Sequence, residues 1–170
     1  MALIIRPERP ADRDAIAELN RAAFGGPDEA ELVDRLRDGP KPVISIVATD
    51  GAQLVGHIMF SPLAVEIDGR RPSALALAPL AVAPDRQRSG IGSRLVAAGL
   101  HAAREAGAEA VFVLGHRAFY PRFGFSAALA ARFEAAFSGA SFMALELVPR
   151  ALEGSGGTAT YSVAFGPAEG

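Results

Sequence analysis

Hydrophobic and polar positions in the first forty residues predict one strand followed by two helices. Leu3 to Arg6 is a short apolar run that is typical of a strand. Asp12 can cap a first helix, whose apolar face has residues three or four positions apart, namely Ile16, Leu19, Ala23 and Phe24. Gly25-Gly26-Pro27 ends that helix, and a second amphipathic helix continues to Gly39-Pro40.

The middle of the chain predicts three antiparallel strands joined by tight turns. Apolar segments run from Val43 to Thr49, from Leu54 to Glu66 and from Ala74 to Ala83. Asp50-Gly51 and Asp68-Gly69 separate them, and the Asp-Gly dipeptide favours the type I′ turn of a β-hairpin. The segments are therefore expected to pair in sequence order.

The pattern then changes to strand, helix, strand. Apolar residues at three- and four-residue spacing predict a helix from Ile91 to Ala106, which Gly107 ends. Ala110 to Leu114 is short and wholly apolar, as expected of a strand that is buried on both faces and parallel to its neighbour. With the preceding strand, these elements form a βαβ unit with a right-handed crossover.

The last fifty or so residues predict a short turn or helix and two closing strands. The turn or helix covers Phe119 to Phe123, and the strands cover Phe142 to Val148 and Thr160 to Phe165. Gly154–Gly157 is expected to be a flexible loop between the strands. No linker or repeat divides the chain, so residues 1–170 are predicted to form a single α/β domain with a mixed, mostly antiparallel sheet.

The turn between the third of these strands and the long helix has the features of a phosphate site. Residues 80–92 read LAVAPDRQRSGIG, in which Gln87, Gly90 and Gly92 form the pattern Q-x-x-G-x-G. Backbone N–H groups at a helix N-terminus, left open by glycines and flanked by arginines, are suited to binding anions. The segment therefore predicts a ligand that carries phosphate.

Pro79 interrupts the strand that leads into this turn. Proline cannot donate a ladder hydrogen bond, so it indicates a bulge or a broken pairing. A bulge would tilt this strand away from the parallel strand at 110–114 and leave backbone groups of Leu80 and Val82 for an extended ligand. An ordinary proline at the edge of a sheet is the alternative.

Composition limits the classes of function. A formal net charge of −2 gives no basic surface for nucleic acid or an anionic membrane, and the absence of cysteine excludes disulfides and thiolate metal sites. The three histidines lack the spacing of a metal pair, and the apolar segments are too short for a signal peptide or a membrane span. We expect a cytoplasmic, bacterial protein without a bound metal, and a homodimer is left open.

Two other glycine-rich phosphate motifs do not fit this chain. A dinucleotide fingerprint would need a third glycine where Leu95 stands. A P-loop would need a lysine directly after its last glycine, and Lys41 is the only lysine in the chain.

The phosphate turn and a second motif resemble one known family. LAVAPDRQRSGIGSRLV resembles the acyl-CoA motif of the GCN5-related N-acetyltransferases (GNAT), and LGHRAFYPRFGF, which contains Tyr120, Gly124 and Phe125, resembles their second motif. The order of GHIMFSPL, LAPLAV and FYPRFGF is similar to that of the YhbS-like predicted N-acetyltransferases of bacteria. The resemblance covers essentially the whole chain and implies the GNAT fold, in which a parallel strand pair splays apart.

The resemblance implies acyl transfer from acetyl-CoA to a primary amine. The strand backbone would bind the acyl and pantetheine portion through Leu80, Ala81 and Val82. Around the pyrophosphate would lie Gln87, Arg88, Ser89, Gly90, Ile91, Gly92 and Ser93. Tyr120 would be the acid near the departing thiolate and would donate a hydrogen bond or a proton to sulfur. A non-catalytic acyl-CoA sensor or interaction module with the same fold is the alternative.

The general base is where this sequence departs from many members of the resembled family. They carry Glu at the position of Ala76, and the Asn that often precedes the tyrosine motif is missing here. An attacking amine must lose its proton, directly or through water. His116 and His57 are two candidates to accept that proton, although a structural role is the more common one for each.

Acceptor specificity is the least defined property. In the resembled fold, residues 24–31 and 127–141 shape the acceptor side. Asp28, Glu29 and Glu31 could attract a cationic amine, although acidic residues at a helix start are commonly solvated. A small amine, an aminoglycoside-like compound, an amino acid and a protein amine all stay open as acceptors.

Overall fold

The computed structural model describes residues 2–166, which form a mixed sheet with helices. The strands are β1 (Leu3–Pro7), β2 (Ile44–Asp50), β3 (Gln53–Ile67), β4 (Ser73–Val82), β5 (Ala110–Leu114), β6 (Phe133–Glu134), β7 (Phe142–Glu146) and β8 (Gly157–Thr160). The α-helices are α1 (Arg13–Phe24), α2 (Asp28–Arg37), α3 (Ile91–Glu105) and α4 (Ala127–Ala130). Short 3-10 helices cover Pro10–Asp12, Pro84–Arg86, Tyr120–Phe123 and Val163–Phe165.

The chain divides into two compact units. Unit 1 comprises residues up to 60 together with residues 78–102, and unit 2 comprises residues 61–77 and those from 103 onward. Along the sheet the strand order is β1-β2-β3-β4-β5-β7, with β8 beside β3 and β6 beside β8. Because β3 and β4 each contribute residues to both units, the chain passes between the units within strands. The prediction that residues 1–170 form one domain stays a prediction.

Unit 1 contains the predicted first strand, both amphipathic helices and the first hairpin. β1 and β2 are antiparallel, as are β2 and β3, with a register shift after Ala48. The buried positions of α1 are Ile16, Leu19 and Asn20, whereas Phe24 is 45% exposed. A polar residue therefore belongs to the buried face of this helix, and the aromatic residue at its end does not.

Asp12 does not cap α1 in the predicted way. Its carboxylate accepts hydrogen bonds from the Arg6 guanidinium, at 2.7 and 3.0 Å, and from the backbone N–H of Arg9, at 2.7 Å. Asp12 ends a 3-10 turn and has helical backbone angles, so its side chain faces back toward that turn. The Arg6 hydrogen bond lowers the pKa of Asp12 to about 2.

Unit 2 is organised around β5, which lies between two strands. It is parallel to β4 and antiparallel to β7, so the predicted strand–helix–strand unit has the expected strand direction. Residues 110–113 are buried as predicted, and Leu114 is 47% exposed. The Phe112 ring contacts the rings of Phe133 and Phe142, with centroids 5.3 and 5.7 Å apart. This aromatic cluster is the centre of the core of unit 2.

The two Asp-Gly sequences form different turns. Asp68 and Gly69 both have positive φ, and Ile67 and Arg70 exchange backbone hydrogen bonds, which is the predicted type I′ arrangement. In the first hairpin Asp50 still pairs with Gln53, so the turn residues are Gly51 and Ala52. Positive φ falls on Gly51 alone there, and a type I′ turn is therefore the wrong prediction for that hairpin.

The last predicted strand is displaced toward the N-terminus. β8 covers Gly157–Thr160 and pairs with β3, whereas Val163–Phe165 is a 3-10 turn. Gly157 therefore belongs to a strand and not to the flexible loop. A Cβ at Gly157 would overlap the carbonyl oxygen of Glu66, so this close approach to β3 requires glycine. The short elements α4 and β6 were not predicted.

Most sheet pairs are antiparallel, and β4–β5 and β6–β8 are parallel. The predicted fold class, a mixed and mostly antiparallel sheet flanked by helices, is confirmed. None of the helices in residues 2–166 combines the length and the apolar character that crossing a bilayer requires.

Candidate active site

The predicted phosphate segment forms an exposed loop between β4 and α3. After β4 ends, Pro84–Arg86 makes one 3-10 turn, and α3 begins at Ile91. Gly90 precedes the helix with a φ of +89°, and no atom lies within 4 Å of the position that a Cβ would occupy. The backbone before α3 is therefore open on the side where an anion would approach the first N–H groups of the helix.

Hydrogen bonds within unit 1 define the shape of this loop. Gln87 Nε2 donates to the carbonyl oxygen of Val82 at 3.3 Å, and the Ser89 hydroxyl donates to the carbonyl oxygen of Arg86. Gln87 thus folds back on the end of β4. Gln87 therefore helps to hold the loop closed, because its amide nitrogen donates to the backbone at the end of β4.

Three arginines on or near the loop differ in their partners. Arg86 Nη1 lies 2.8 Å from Asp50 Oδ2, at the end of β2. Arg88 and Arg94 are exposed and form no salt bridge within the described residues. Arg88 also has a φ of +63°, which is uncommon for a residue with a side chain. Asp50, Arg86 and Arg94 were not among the predicted site residues.

The pairing of β4 changes close to Pro79. The parallel ladder with β5 ends at Leu77 opposite Val113, although β4 continues to Val82. Pro79 is buried and follows a cis peptide bond. Leu80 and Val82 are partly exposed, and Ala81 is buried. The predicted break of the parallel pairing at the proline is confirmed, and the ligand role of these three residues stays a prediction.

Tyr120 lies in unit 2, at the start of a 3-10 turn, with its ring buried among aromatic neighbours. The ring centroid is 5.0 Å from that of Phe119 and 5.6 Å from that of Phe125, and both contacts are edge-to-face. The ring also packs on Gly115, where a Cβ would overlap the ring and lie 3.0 Å from its Cδ2 atom. Burial raises the pKa of Tyr120 to about 12, so the phenol keeps its proton at neutral pH.

His57 is fully buried in unit 1 and belongs to a chain of hydrogen bonds. Asn20 Nδ2 donates to His57 Nδ1 at 3.3 Å, so the proton of the neutral imidazole is on Nε2. Nε2 lies 2.9 Å from the Ser45 hydroxyl, which donates to Glu8 Oε1 at 2.8 Å. Burial lowers the pKa of His57 to about 4. Both ring nitrogens are occupied, which favours a structural role over that of a base.

His116 differs from His57 because its side chain is exposed. It lies four residues before Tyr120, and its carbonyl oxygen accepts hydrogen bonds from the N–H groups of Phe119 and Tyr120. Ala76 is 1% exposed and has no titratable group. Of the two predicted histidine candidates, only His116 has a side chain accessible to a reactant or to water.

The described residues contain no group of three or more His, Asp or Glu side chains that could hold a metal ion.

Among the predicted acceptor residues, Asp28, Glu29 and Glu31 occupy the first turn of α2. Residues 127–141 include α4 and β6. These carboxylates remain candidates for attracting a cationic acceptor.

Comparison with protein families and with curated proteins identifies relatives of this chain. Residues 4–128 match the model of the Acetyltransferase (GNAT) domain. The chain is 35% identical over 166 residues to the uncharacterized N-acetyltransferase YhbS of Escherichia coli K12, covering 96% of this chain and 98% of YhbS. It is 39% identical over 117 residues to the uncharacterized N-acetyltransferase YjhQ of the same strain, covering 68% of this chain and 65% of YjhQ.

Solved structures show the same relationship. The crystal structure of E. coli YhbS in complex with CoA has a TM-score of 0.86 at 34% identity and covers 96% of this chain and 91% of YhbS. A GNAT acetyltransferase from Brucella melitensis in complex with acetyl-CoA has a TM-score of 0.79 at 35% identity, covering 96% of this chain and 98% of that protein. An aminoglycoside 6′-N-acetyltransferase with 20% identity and a TM-score of 0.64 shares the fold alone.

The chain belongs to the GNAT acetyltransferase family. The resemblance to YhbS, the fold class and the membership of a class of N-acetyltransferases are confirmed as predicted. The roles predicted for individual residues of the loop, of β4 and for Tyr120 stay predictions.

Proposed function

We propose that the protein binds acetyl-CoA and transfers its acetyl group directly to a primary amine. The observation that carries this proposal is the open backbone at Gly90, which has positive φ and lies at the N-terminus of α3. Such a site suits the pyrophosphate of CoA because it offers unpaired N–H donors and the positive end of a helix dipole. Membership of the GNAT family and the relatives with CoA and acetyl-CoA support it.

Residues of unit 1 bind the donor in this proposal. The pyrophosphate contacts the segment 87–93, where exposed Arg88 adds a positive charge. Leu80, Ala81 and Val82 follow the end of the parallel ladder, and their backbone groups bind the pantetheine and the thioester. An N–H in this segment, at Leu80, stabilises the negative charge on the thioester oxygen in the tetrahedral intermediate.

The reaction is an attack of the neutral amine on the thioester carbonyl. A C–N bond forms, the C–S bond then breaks, and the amine proton leaves to a base while the thiolate receives a proton. Tyr120 acts as the acid and donates a hydrogen bond or a proton to the departing sulfur, and its pKa of about 12 keeps the phenol protonated at neutral pH. Cysteine-type thiols have a reference pKa of about 8.5, so the thiolate is a good leaving group that needs only moderate assistance.

Water or His116 accepts the amine proton in this proposal. Ala76 cannot do so, and both ring nitrogens of His57 are bonded inside unit 1. His116 is exposed and close to Tyr120 in sequence. Proton transfer through a water molecule needs only a base that solvent can reach, and His116 meets that condition.

The acceptor is an amine whose class stays open among small amines, aminoglycoside-like compounds, amino acids and protein amines. Carboxylates at the start of α2 favour a cationic acceptor. We place the protein in the bacterial cytoplasm, and its relatives from E. coli and B. melitensis support the bacterial source. No nucleic acid or membrane takes part, and a homodimer remains compatible with the proposal.

A thiol-release assay with acetyl-CoA and a panel of amines tests the proposal, with calorimetry of acetyl-CoA binding beside it. We expect binding, and release of free CoA with at least one amine class. Tight binding of acetyl-CoA without turnover on any amine would favour the alternative, an acyl-CoA sensor with the same fold. No binding would contradict both functions.

A further inference from the structure

We infer that Asp50 and Arg86 are positioning residues of the phosphate loop, and that Arg86 is not itself a ligand of the phosphates. This inference rests on the proposed binding of acetyl-CoA. Arg86 lies within the arginine-rich loop sequence, although it is not among the residues predicted to surround the pyrophosphate. Its Nη1 atom donates to the carboxylate of Asp50, which turns the guanidinium toward Asp50 in the geometry observed.

The pair connects the loop to the first hairpin. Arg86 Nη1 donates to Asp50 Oδ2 at 2.8 Å, and the two side chains are 28% and 11% exposed. Asp50 is the last residue of β2 and pairs with Gln53 across the turn. The carboxylate is thus supplied by the end of β2, thirty-six positions away in sequence.

A second contact joins the same two segments. The N–H of Ala83 donates to the carbonyl oxygen of Val55, on β3, at 2.9 Å. The N–H of Arg86 then donates to the carbonyl oxygen of Ala83 at 2.8 Å, which closes the 3-10 turn. The start of the loop is therefore attached to the hairpin at Ala83 through the backbone and at Arg86 through the side chain.

The attachment extends toward the glycines. The Ser89 hydroxyl donates to the carbonyl oxygen of Arg86, so the position of Arg86 determines that of the residue directly before Gly90. A fixed loop loses less conformational entropy when a ligand binds than a mobile one. The Asp50–Arg86 pair therefore contributes to affinity by orienting the backbone before α3, while Arg88 and Arg94 have no salt-bridge partner within the described residues and supply charge.

The local charges support a positioning role for Arg86 and a charge contribution from Arg88 and Arg94. A phosphate that bound Arg86 directly would approach the carboxylate of Asp50, which is 2.8 Å from the guanidinium, and like charges would repel. In the paired state the charge of Asp50 is compensated by Arg86. The net positive charge available to the ligand then comes from Arg88 and Arg94.

The test compares Asp50→Asn, Arg86→Gln, the double variant and the swapped pair Asp50→Arg/Arg86→Asp. Calorimetry gives the Kd for acetyl-CoA, and steady-state kinetics with the best amine gives KM and kcat. We expect each single variant to raise Kd and the KM for acetyl-CoA by a similar factor, about three- to tenfold, at unchanged kcat. The double variant should be no weaker than either single variant, and the swapped pair should recover part of the affinity.

A direct phosphate role for Arg86 predicts a different pattern. Arg86→Gln would weaken binding, whereas Asp50→Asn would leave Kd unchanged or lower it, because it frees a cation. That pattern would overturn the inference, as would single variants that both bind like the wild type.

Two controls separate the inference from loss of folding and from failure of the proposed function. Asp12→Asn breaks an ion pair with Arg6 elsewhere in unit 1 and should leave Kd unchanged. Arg88→Gln should weaken binding by the same factor in the presence and absence of Asp50→Asn, and should flatten the salt dependence of Kd. A wild-type protein that does not bind acetyl-CoA would overturn the proposed function itself, whereas normal wild-type binding with unresponsive variants would overturn only the positioning role.

Discussion

The two compact units of this protein differ in the interactions that accompany their buried apolar residues. Unit 1 holds the ion pairs Arg6–Asp12, Glu8–Arg37 and Asp50–Arg86. In unit 2 the aromatic rings of Phe112, Tyr120 and Tyr161 each contact at least two other rings. Charge pairs respond to pH and salt, whereas ring packing responds to volume. We therefore expect changes of pH and salt to affect mainly unit 1, and changes of side-chain volume to affect mainly unit 2.

The difference extends to the interior of unit 1. A chain of hydrogen bonds runs from the buried residues Asn20 and His57 through the partly exposed Ser45 to Glu8. It ends at Arg37, which donates to the carboxylate of Glu8 at 2.7 and 3.0 Å. Burial opposes ionisation of Glu8, but the Arg37 and Ser45 hydrogen bonds outweigh it and keep the pKa below its usual value. The hydrogen bonds along this chain require a neutral His57 and a charged Glu8.

In the proposed reaction, the two units have different tasks. The phosphate loop belongs to unit 1 and acts through backbone groups, and Tyr120 belongs to unit 2 and acts through one hydroxyl. Binding of the donor and chemistry should therefore be separable by mutation.

The largest expected effect comes from Tyr120→Phe in unit 2. The substitution keeps the ring packing and removes the proton donor, so kcat should fall by roughly 10²–10⁴, the size of a general-acid contribution. Stability and the Kd for acetyl-CoA should change little, because the binding contacts are assigned to unit 1. Steady-state kinetics measures kcat, and calorimetry measures the stability and the Kd for acetyl-CoA. If Tyr120→Phe keeps the wild-type kcat, Tyr120 has a packing role only.

Gly90→Glu in unit 1 should have the opposite signature. A glutamate would put bulk and negative charge into the space that the phosphates need, so affinity for acetyl-CoA should fall well over tenfold, and Gly92→Glu should act in the same way. Gly107→Glu is the matched control. Gly107 lies at the other end of α3, also has a positive φ, of +86°, and also has open space around the position of a Cβ. Equal losses for Gly90→Glu and Gly107→Glu in calorimetry would attribute the effect to backbone strain and not to the ligand.

Gly115→Ala tests whether unit 2 is sensitive to volume. The new methyl group would overlap the Tyr120 ring, and overpacking of this kind costs about 1–3 kcal/mol. We expect a lower free energy of unfolding and a reduced kcat at unchanged acetyl-CoA affinity. Gly26→Ala introduces the same methyl group where nothing lies within 4 Å and should leave both measurements near the wild-type values. Retention of wild-type kcat in Gly115→Ala would show that the ring position is not important for turnover.

The smallest effect concerns the acid sensitivity of unit 1. Because the pKa of His57 is lowered to about 4, the unfolded chain binds a proton below about pH 6.5 that the folded chain does not. Stability from this group is thus complete above pH 6.5 and is lost as the pH falls toward 4. The loss amounts to about 2 kcal/mol between pH 6.5 and 5.

Urea unfolding at several pH values measures this slope. His57→Gln should remove it, whatever its effect on stability at pH 7, whereas His116→Gln, at an exposed position of unit 2, should retain it. An unchanged slope in His57→Gln would show that the polar interior of unit 1 is not the acid-sensitive part. Loss of stability below about pH 4 would come from carboxylates such as Glu8 and Asp12, whose pKa values are also lowered.

Much of the fold was predictable because its signals are local. The helix from Ile91, the strand at 110–114 and the glycine-rich loop each depend on neighbouring residues, and the structure has them within one or two positions of the prediction. The proline in β4 also marked the end of the parallel ladder. The tyrosine motif was recognisable as a pattern, although its buried environment was not.

The errors occur where partners are distant in sequence. β8 begins at Gly157 because β3 passes too close for any side chain, which the glycine-rich sequence there does not reveal. The first Asp-Gly turn differs from the second because pairing across the β2–β3 hairpin continues to Asp50 and Gln53.

By itself, the sequence determined the order of the elements up to β5, the glycine-rich loop before α3 and the family, since periodicity, turn residues and motifs act over a few positions. Only the tertiary structure decided which charged and polar groups remain available to a ligand. Arg86 is paired with Asp50 and His57 is buried against Asn20 and Ser45, whereas Arg88 and His116 are exposed. The physical reason is that burial and ion pairing depend on residues brought together by folding, and they change the chemistry of a side chain without changing its identity.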